Sequence, residues 1–287
     1  MLGHKLWQQF AAEFDTYIAL HGSLDYYRKC KLFNSDHTFE HVSAEDYDSV
    51  VRAIDKLKPD VIVNCVGIVK QSESANDPLT SISVNALFPH RLAKLCRSLG
   101  IRLIQISTDC VFSGRKGYYT EDDVSDAEDL YGRTKYLGEL NYEGCLTLRT
   151  SIIGRELVAS NGLIEWFLSQ DGLTVRGYTN AIFSGFTTIC LAEVIGMIIT
   201  EQPDMFGIWH VASQPISKYD LISLVKQIFK LNIHIERDDT VVIDRSLNAG
   251  RFLKATGFVV PSWHDMIGQM YLDHTPYADV RRSLAKR

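Results

Sequence analysis

Apolar positions along this chain follow two alternating rhythms. Nearly continuous apolar runs occupy residues 60–67 (DVIVNCVG), 101–108 (IRLIQIST) and 145–151 (CLTLRTS). Runs of that length, unbroken by polar alternation, are the pattern of parallel strands buried on both faces. A shorter candidate strand is YIAL at 17–20. Between these runs apolar residues recur at helical spacing. Ser43 and Asp46 make a capping-box-like start for a helix that Pro59 ends near Lys58. A second helix covers about 79–99 and stops at Gly100, and a third covers 130–142. Strands alternating with helices predict right-handed βαβ units in an α/β fold, a doubly wound parallel sheet.

From about Gly154 the rhythm loosens. Helices are expected at 163–170, 189–200, 219–231 and near 263–272, with strands at 173–176 and 207–212. This divides the chain into a nucleotide-binding domain over 1–153 and a smaller, interwoven lobe over 154–287. No Pro/Gly/Ser-rich linker separates the two. The first ten residues, MLGHKLWQQF, form an amphipathic helix with Leu2, Leu6 and Phe10 every four residues.

Composition narrows the function classes. Of 287 residues, 46% are hydrophobic and 23% charged, with a net charge of −5. Those proportions are ordinary for a globular protein, and the charge gives no reason to expect nucleic acid or an anionic membrane as partner. The six cysteines, Cys30, Cys65, Cys96, Cys110, Cys145 and Cys190, include no C-x-x-C pair, which fits a reduced, cytoplasmic chain. The first residues show no signal-peptide pattern. The longest apolar run, at 189–200, is interrupted by Glu193 and too short to span a bilayer. The nine histidines show no metal-ligand spacing, so no metal is expected.

The chemistry concentrates in residues 107–140, STDCVFSGRKGYYTEDDVSDAEDLYGRTKYLGEL. Tyr131 and Lys135 are four apart and share a helical face. A free phenol, with a pKa near 10, exchanges protons poorly at neutral pH. An ammonium nearby favours the phenolate, so Lys135 is expected to lower that pKa and make Tyr131 a general acid/base. Thr108 ends a buried strand, the edge at which open α/β sheets place their ligands.

The same segment resembles the extended short-chain dehydrogenase/reductase family, in its dTDP-4-dehydrorhamnose reductase branch. The family pattern is Ser-Thr-Asp-x-Val-Phe-x-Gly, then an aromatic-x-Glu-x-Asp stretch, then Tyr-Gly-x-Thr-Lys-x-x-Gly-Glu; this chain matches nearly all of it. Cys110 stands where an aromatic is common. The resemblance implies reduction of a 4-keto nucleotide-activated deoxysugar by NADPH or NADH, feeding surface polysaccharide. Thr108, Tyr131 and Lys135 would be catalytic: Tyr131 protonates the forming alkoxide, Thr108 orients it, and Lys135 also holds the nicotinamide ribose.

Carried further, the resemblance makes MLGHKLWQQF the end of a Gly-x-x-Gly-x-x-Gly cofactor loop, with Leu2 beside Gly3 as its third glycine. The first strand and first two glycines would then be absent, and a truncated chain is expected. Asn64, Cys65, Gly67 and Lys70 would line the cofactor, with Thr150 at the end of the third strand. Asn85 would support Lys135. Asp109, Cys110, Arg155, Arg176 and Asn180 join Thr108 as substrate-binding candidates, because a nucleotide diphosphate needs cationic and amide donors. Arg28 and Lys29 beyond YIAL favour NADP over NAD. A nucleotide sugar is the expected partner, with a homodimer as the assembly. Two alternatives stay open: an epimerase/reductase using the same tyrosine and lysine, and a non-catalytic subunit of this fold, since the family also resembles the regulatory subunit of methionine adenosyltransferase.

Overall fold

The computed structural model describes residues 1–27, 32–70, 73–158 and 160–277. From the N-terminus run α1 (Leu2–Phe10), β1 (Ile18–Ala19), α2 (Leu24–Tyr27), β2 (Thr38–Phe39), α3 (Tyr47–Leu57) and β3 (Val61–Asn64). Then come α4 (Pro78–Ser81), a π-helical segment (Ile82–Leu87), α5 (Phe88–Leu99), β4 (Arg102–Thr108), α6 (Leu130–Leu137), β5 (Cys145–Thr150) and β6 (Ile152–Ile153). The chain continues through α7 (Leu163–Leu168), β7 (Thr174–Tyr178), β8 (Ala181–Phe183), β9 (Phe186–Thr187), α8 (Thr188–Glu201), β10 (Gly207–His210) and β11 (Ile216–Ser217). It closes with α9 (Lys218–Phe229), β12 (His234–Asp238), β13 (Ile243–Asp244), α10 (Gly250–Thr256) and α11 (Trp263–Tyr271).

The three long apolar runs become β3, β4 and β5. With β10 they form a four-stranded sheet in the order β10-β5-β4-β3, every neighbour parallel. β5 is buried at every position, as an unbroken apolar run on a two-sided sheet requires. β10 comes from the second half of the chain, so both halves build this sheet. On one face α1 and α8 pack together, and Leu2, Leu6 and Phe10 join Ile104, Leu146, Leu148 and the apolar side of α8 in one core. Val50, Ile54, Phe88, Leu92 and Cys96 from α3 and α5 pack with Leu103 and Cys145 in another. YIAL pairs elsewhere: β1 and β2 make a two-stranded parallel ladder of their own. The second half adds the three-stranded sheet β11-β8-β13 and the ladder β12-β7.

Three helices depart from their expected limits, each for a local reason. α3 begins at Tyr47, because the Asp46 side chain makes no capping bond and the Ser43 hydroxyl is spent on the Glu45 amide. The helix expected over 79–99 is interrupted by the π segment. Pro89 has no amide hydrogen to give the Asn85 carbonyl, and the Phe88 amide reaches back five residues to Ser83 instead. α6 stops at Leu137 rather than 142, since Gly138 abuts the freed Asn85 carbonyl. No helix among the described residues is long and apolar enough to cross a membrane.

Candidate functional site

The site forms where β3 and β4 end and α6 begins. Thr108, the last residue of β4, caps a single 3-10 turn; its hydroxyl accepts from the Cys110 amide at 3.1 Å and donates to Asp109 Oδ1 at 3.1 Å. α6 starts on Asp129, whose carboxylate accepts from the Gly132 amide at 2.8 Å. Gly132 has to be glycine, because a β-carbon there would strike the Cys110 carbonyl. That close approach brings Tyr131, the adjacent residue, against the end of β4, where its hydroxyl lies beside Thr108.

Lys135, one turn further, is buried, and its ammonium donates to the Ile106 carbonyl at 2.6 Å. Gly67 lies at the same point: a β-carbon on it would stand 3.3 Å from Asn85 Oδ1 and 3.8 Å from Lys135 Nζ. Asn85, inside the π segment, accepts from the Ile68 amide at 2.9 Å and donates to the Ile68 carbonyl at 3.0 Å. It therefore fixes the loop after β3 rather than binding Lys135 directly. π segments recur at functional sites because they turn a side chain out of helical register.

The electrostatics differ from the expectation in one respect. Burial pushes the Tyr131 phenol above its ordinary value, with Cys110, Asp109 and Asp129 pushing the same way and only the Thr108 hydroxyl opposing them. Lys135 does not offset this, because its charge is directed at the Ile106 carbonyl. Burial lowers Lys135 to about 8, against the pull of Glu139 and Cys65. Burial also raises Asp109, opposed by Arg245 and Lys218, and pushes Cys110 up to about 12. Near neutral pH the site thus holds a protonated phenol.

The other sequence candidates separate into two groups. Asn64 is buried at the end of β3, donating to Gln105 Oε1 at 2.7 Å and accepting from the Val66 amide at 3.1 Å. The exposed Cys65 follows it, and a β-carbon on Gly3 would lie 3.9 Å from its Cβ, so the start of α1, with Leu2 buried beneath, meets this loop. Thr150 is buried at the end of β5, and its hydroxyl donates to the Ser151 carbonyl at 3.4 Å. Lys70 is tied to Asp129 at 2.7 Å, beside the start of α6.

The second group points elsewhere. Arg155 pairs with Glu165 at 2.7 Å and lies over the Tyr277 ring at 4.6 Å. Arg176 is exposed and pairs with Asp238 at 3.6 Å, while Asn180 donates to the Asp239 carbonyl at 3.2 Å. Arg28 and Lys29 lie outside the described residues.

Two cations that sequence reasoning passed over face Asp109 instead. Lys218 opens α9, with its ammonium 4.5 Å from the centre of the Phe183 ring. Arg245, just after β13, donates to the Phe112 carbonyl at 2.8 Å. Neither had a signal in the sequence. Lys218 follows an ordinary Ser217 cap, and Arg245 reaches the site only because β13 pairs with β8.

Residues 1–238 match the family model described as the RmlD substrate binding domain. A dTDP-4-dehydrorhamnose reductase from Streptomyces griseus is 37% identical over 100 residues, 34% of this chain and 33% of that protein. A methionine adenosyltransferase 2 subunit beta from Xenopus laevis is 26% identical over 216 residues, 67% of this chain and 61% of that protein. The chain thus spans less than two thirds of the length of either relative. Among solved structures, a dTDP-4-dehydrorhamnose reductase from Bacillus anthracis in complex with NADP has a TM-score of 0.73 at 18% identity, covering 90% of this chain and 99% of that one. A dTDP-glucose 4,6-dehydratase from the same species in complex with NAD has a TM-score of 0.78 at 12% identity, covering 99% and 96%. At these identities the structural likeness is one of fold, a Rossmann-like α/β architecture.

Proposed function

Because the chain belongs to the RmlD substrate binding domain family, we propose that it reduces the 4-keto group of a nucleotide-activated deoxysugar at the expense of NADPH. The observation that carries this reading is the convergence of Thr108, Tyr131 and Lys135 at the end of β4.

The residues present fit the nicotinamide side of such a cofactor. Gly67 keeps the loop after β3 free of a side chain beside Lys135, and the start of α1 meets that loop at Cys65. When bound, the dinucleotide supplies the hydride. Tyr131 donates its proton to the ketone oxygen as that oxygen gains charge. The buried phenol is protonated at neutral pH, the form from which a proton can be given. Thr108 hydrogen-bonds the same oxygen, and Lys135 holds the ribose. Asp109, with Lys218 and Arg245 opposite, offers an acceptor and two donors to the sugar nucleotide. NADP rather than NAD is favoured by the basic pair Arg28 and Lys29.

The deciding assay follows NADPH absorbance with a dTDP-4-keto-6-deoxysugar, with Tyr131→Phe as control. Oxidation by the wild-type chain that the variant lacks supports the reading; none by either sinks it. A second reading is a binding subunit, favoured by the long alignment with the Xenopus laevis beta subunit. Stable complex formation with a methionine adenosyltransferase catalytic subunit, without turnover of the keto sugar, would favour it.

A further inference from the structure

The motif on α6 ends in Gly138-Glu139, and the reaction described above leaves Glu139 without a role. Its surroundings are unusual for a parallel sheet. Strand register sets Ser107 of β4 beside Arg149 of β5, and Arg149 beside His210 of β10. Three polar residues therefore lie in a row across strands whose other positions are mostly apolar. Glu139 meets that row just beyond the C-terminal end of α6. Its Oε1 accepts from the Ser107 hydroxyl at 2.7 Å and from Arg149 Nε at 2.8 Å; its Oε2 accepts from the second guanidinium arm at 2.7 Å.

The pair is almost wholly enclosed, with side-chain exposures of 4% for Arg149 and 2% for Glu139. Arg149 Nη1 also donates to His210 Nε2 at 3.3 Å, and His210 Nδ1 donates to the Tyr119 carbonyl at 3.0 Å. Both ring nitrogens are used by a neutral imidazole, so no second positive charge competes for Glu139. A guanidinium bound through two parallel hydrogen bonds fixes the carboxylate in place.

The row bears on Lys135 through consecutive residues of β4. Ile106 supplies the carbonyl that receives the ammonium, and Ser107 supplies the hydroxyl that holds Glu139. We infer that Glu139 is the positioning residue of this site, a fixed carboxylate that keeps Lys135 charged and aimed, while Arg149, Ser107 and His210 hold Glu139 in place. The inference rests on the reading above in which Lys135 serves the reaction. As a mere stabiliser the pair would be replaceable, since a buried ion pair is often no better than well-packed apolar residues of the same volume. Among the described residues, the groups facing Lys135 are few. Glu139 lies beyond its own helix, Tyr131 one turn before it on that helix, Cys65 after β3 and the Ile106 carbonyl on β4; the Met1 amino group stands near Cys65.

The test reads Lys135 directly, in the full chain without ligands. Lysines are labelled with carbon-13 at Cε, the Lys135 signal is assigned by its loss in Lys135→Met, and its titration is followed by NMR. The wild-type signal should titrate near 8. In Glu139→Gln the midpoint should fall by about 1 unit, a tenfold weaker hold on the proton. Glu139→Gln strands a buried guanidinium, so Glu139→Asp, which keeps both charges of the pair but withdraws the carboxylate and should also lower the midpoint, carries the measurement if the first variant unfolds. A purely structural role would lower the melting temperature and leave the midpoint in place. An unchanged midpoint in either folded variant overturns the inference. Because no substrate is present, a chain inactive towards keto sugars that still shows the shift would defeat the reductase reading and leave this one standing.

Discussion

Gly138 lies against the carbonyl of Asn85, closer than any β-carbon could approach. The contact joins the end of α6 to the π segment, which is distorted because Pro89 leaves that carbonyl without its helical partner. Two breaks in helical regularity therefore fit into each other. Between them they fix where α6 ends, and so where Lys135 points.

Gly138→Ala should prise these elements apart. Overpacking of this kind costs about 1–3 kcal/mol, and Lys135 would move with α6. Urea unfolding should show the loss. Stability equal to wild type would mean that the two helices are not held by this contact.

Tyr131→Phe should lower kcat for keto-sugar reduction by about 100-fold or more, the usual contribution of a positioned proton donor. NADPH affinity, measured by calorimetry, should barely change, since the phenyl ring preserves the packing. Retention of most of the turnover would remove Tyr131 from the reaction.

Asp273 governs the acid limb of stability. Burial by itself would raise its pKa, but hydrogen bonds from Lys5, Tyr277 and Thr275 more than offset this and hold it at about 2. The Lys5 ammonium lies 2.6 Å away, and that ion pair fastens α1 to the segment after α11. Lys5 itself is lowered, because its burial outweighs Asp273, so the pair is not favourable from both ends. The carboxylate, with three donors, decides the behaviour below neutrality. With a folded pKa below the unfolded value of about 3.9, its contribution is complete above that value and fades as pH falls towards 2. Asp273→Asn should cost about 3 kcal/mol at pH 7 by stranding Lys5 and should flatten the stability curve between pH 4 and pH 2. Unfolding curves across that range would show no such flattening if Asp273 were merely a surface carboxylate.

His4 and His210 should remain neutral through pH 5. Burial lowers both to about 3, with the Met1 amino group reinforcing it at His4 and Arg149 at His210. The Tyr277 hydroxyl gives its one proton to Asp273, so His4 Nε2 must be the donor in their 3.1 Å contact. Folded pKa values below the unfolded value of about 6.5 mean that stability falls as pH drops from there towards 3. Carbon-bound imidazole proton shifts should stay flat from pH 8 to pH 5; titration near 6.5 would show that these rings are not buried as described.

Much of this arrangement was legible in the chain itself. Period and run length located β3, β4 and β5, because a strand buried on both faces has no polar alternation to hide it. Tyr131, Lys135 and Thr108 were found because a helical spacing and a strand end lie within one continuous segment. The lobe was read less well. β8, β9, β11 and β13 are two or three residues long and exist only through their partners.

What the sequence determined by itself was the local order: which runs are buried strands, which segments turn as helices, and that a phenol and an ammonium share a helical face. Tertiary structure decided where that ammonium is aimed. Lys135 gives its hydrogen bond to a β4 carbonyl, and Glu139 is held by a residue from each of two neighbouring strands. Packing likewise decided that Lys218 and Arg245, rather than Arg155, Arg176 or Asn180, face Asp109. The reason is physical. Helix and strand periods fix which side of an element a residue occupies, whereas the charge that residue meets is set by a partner element whose register no local pattern encodes.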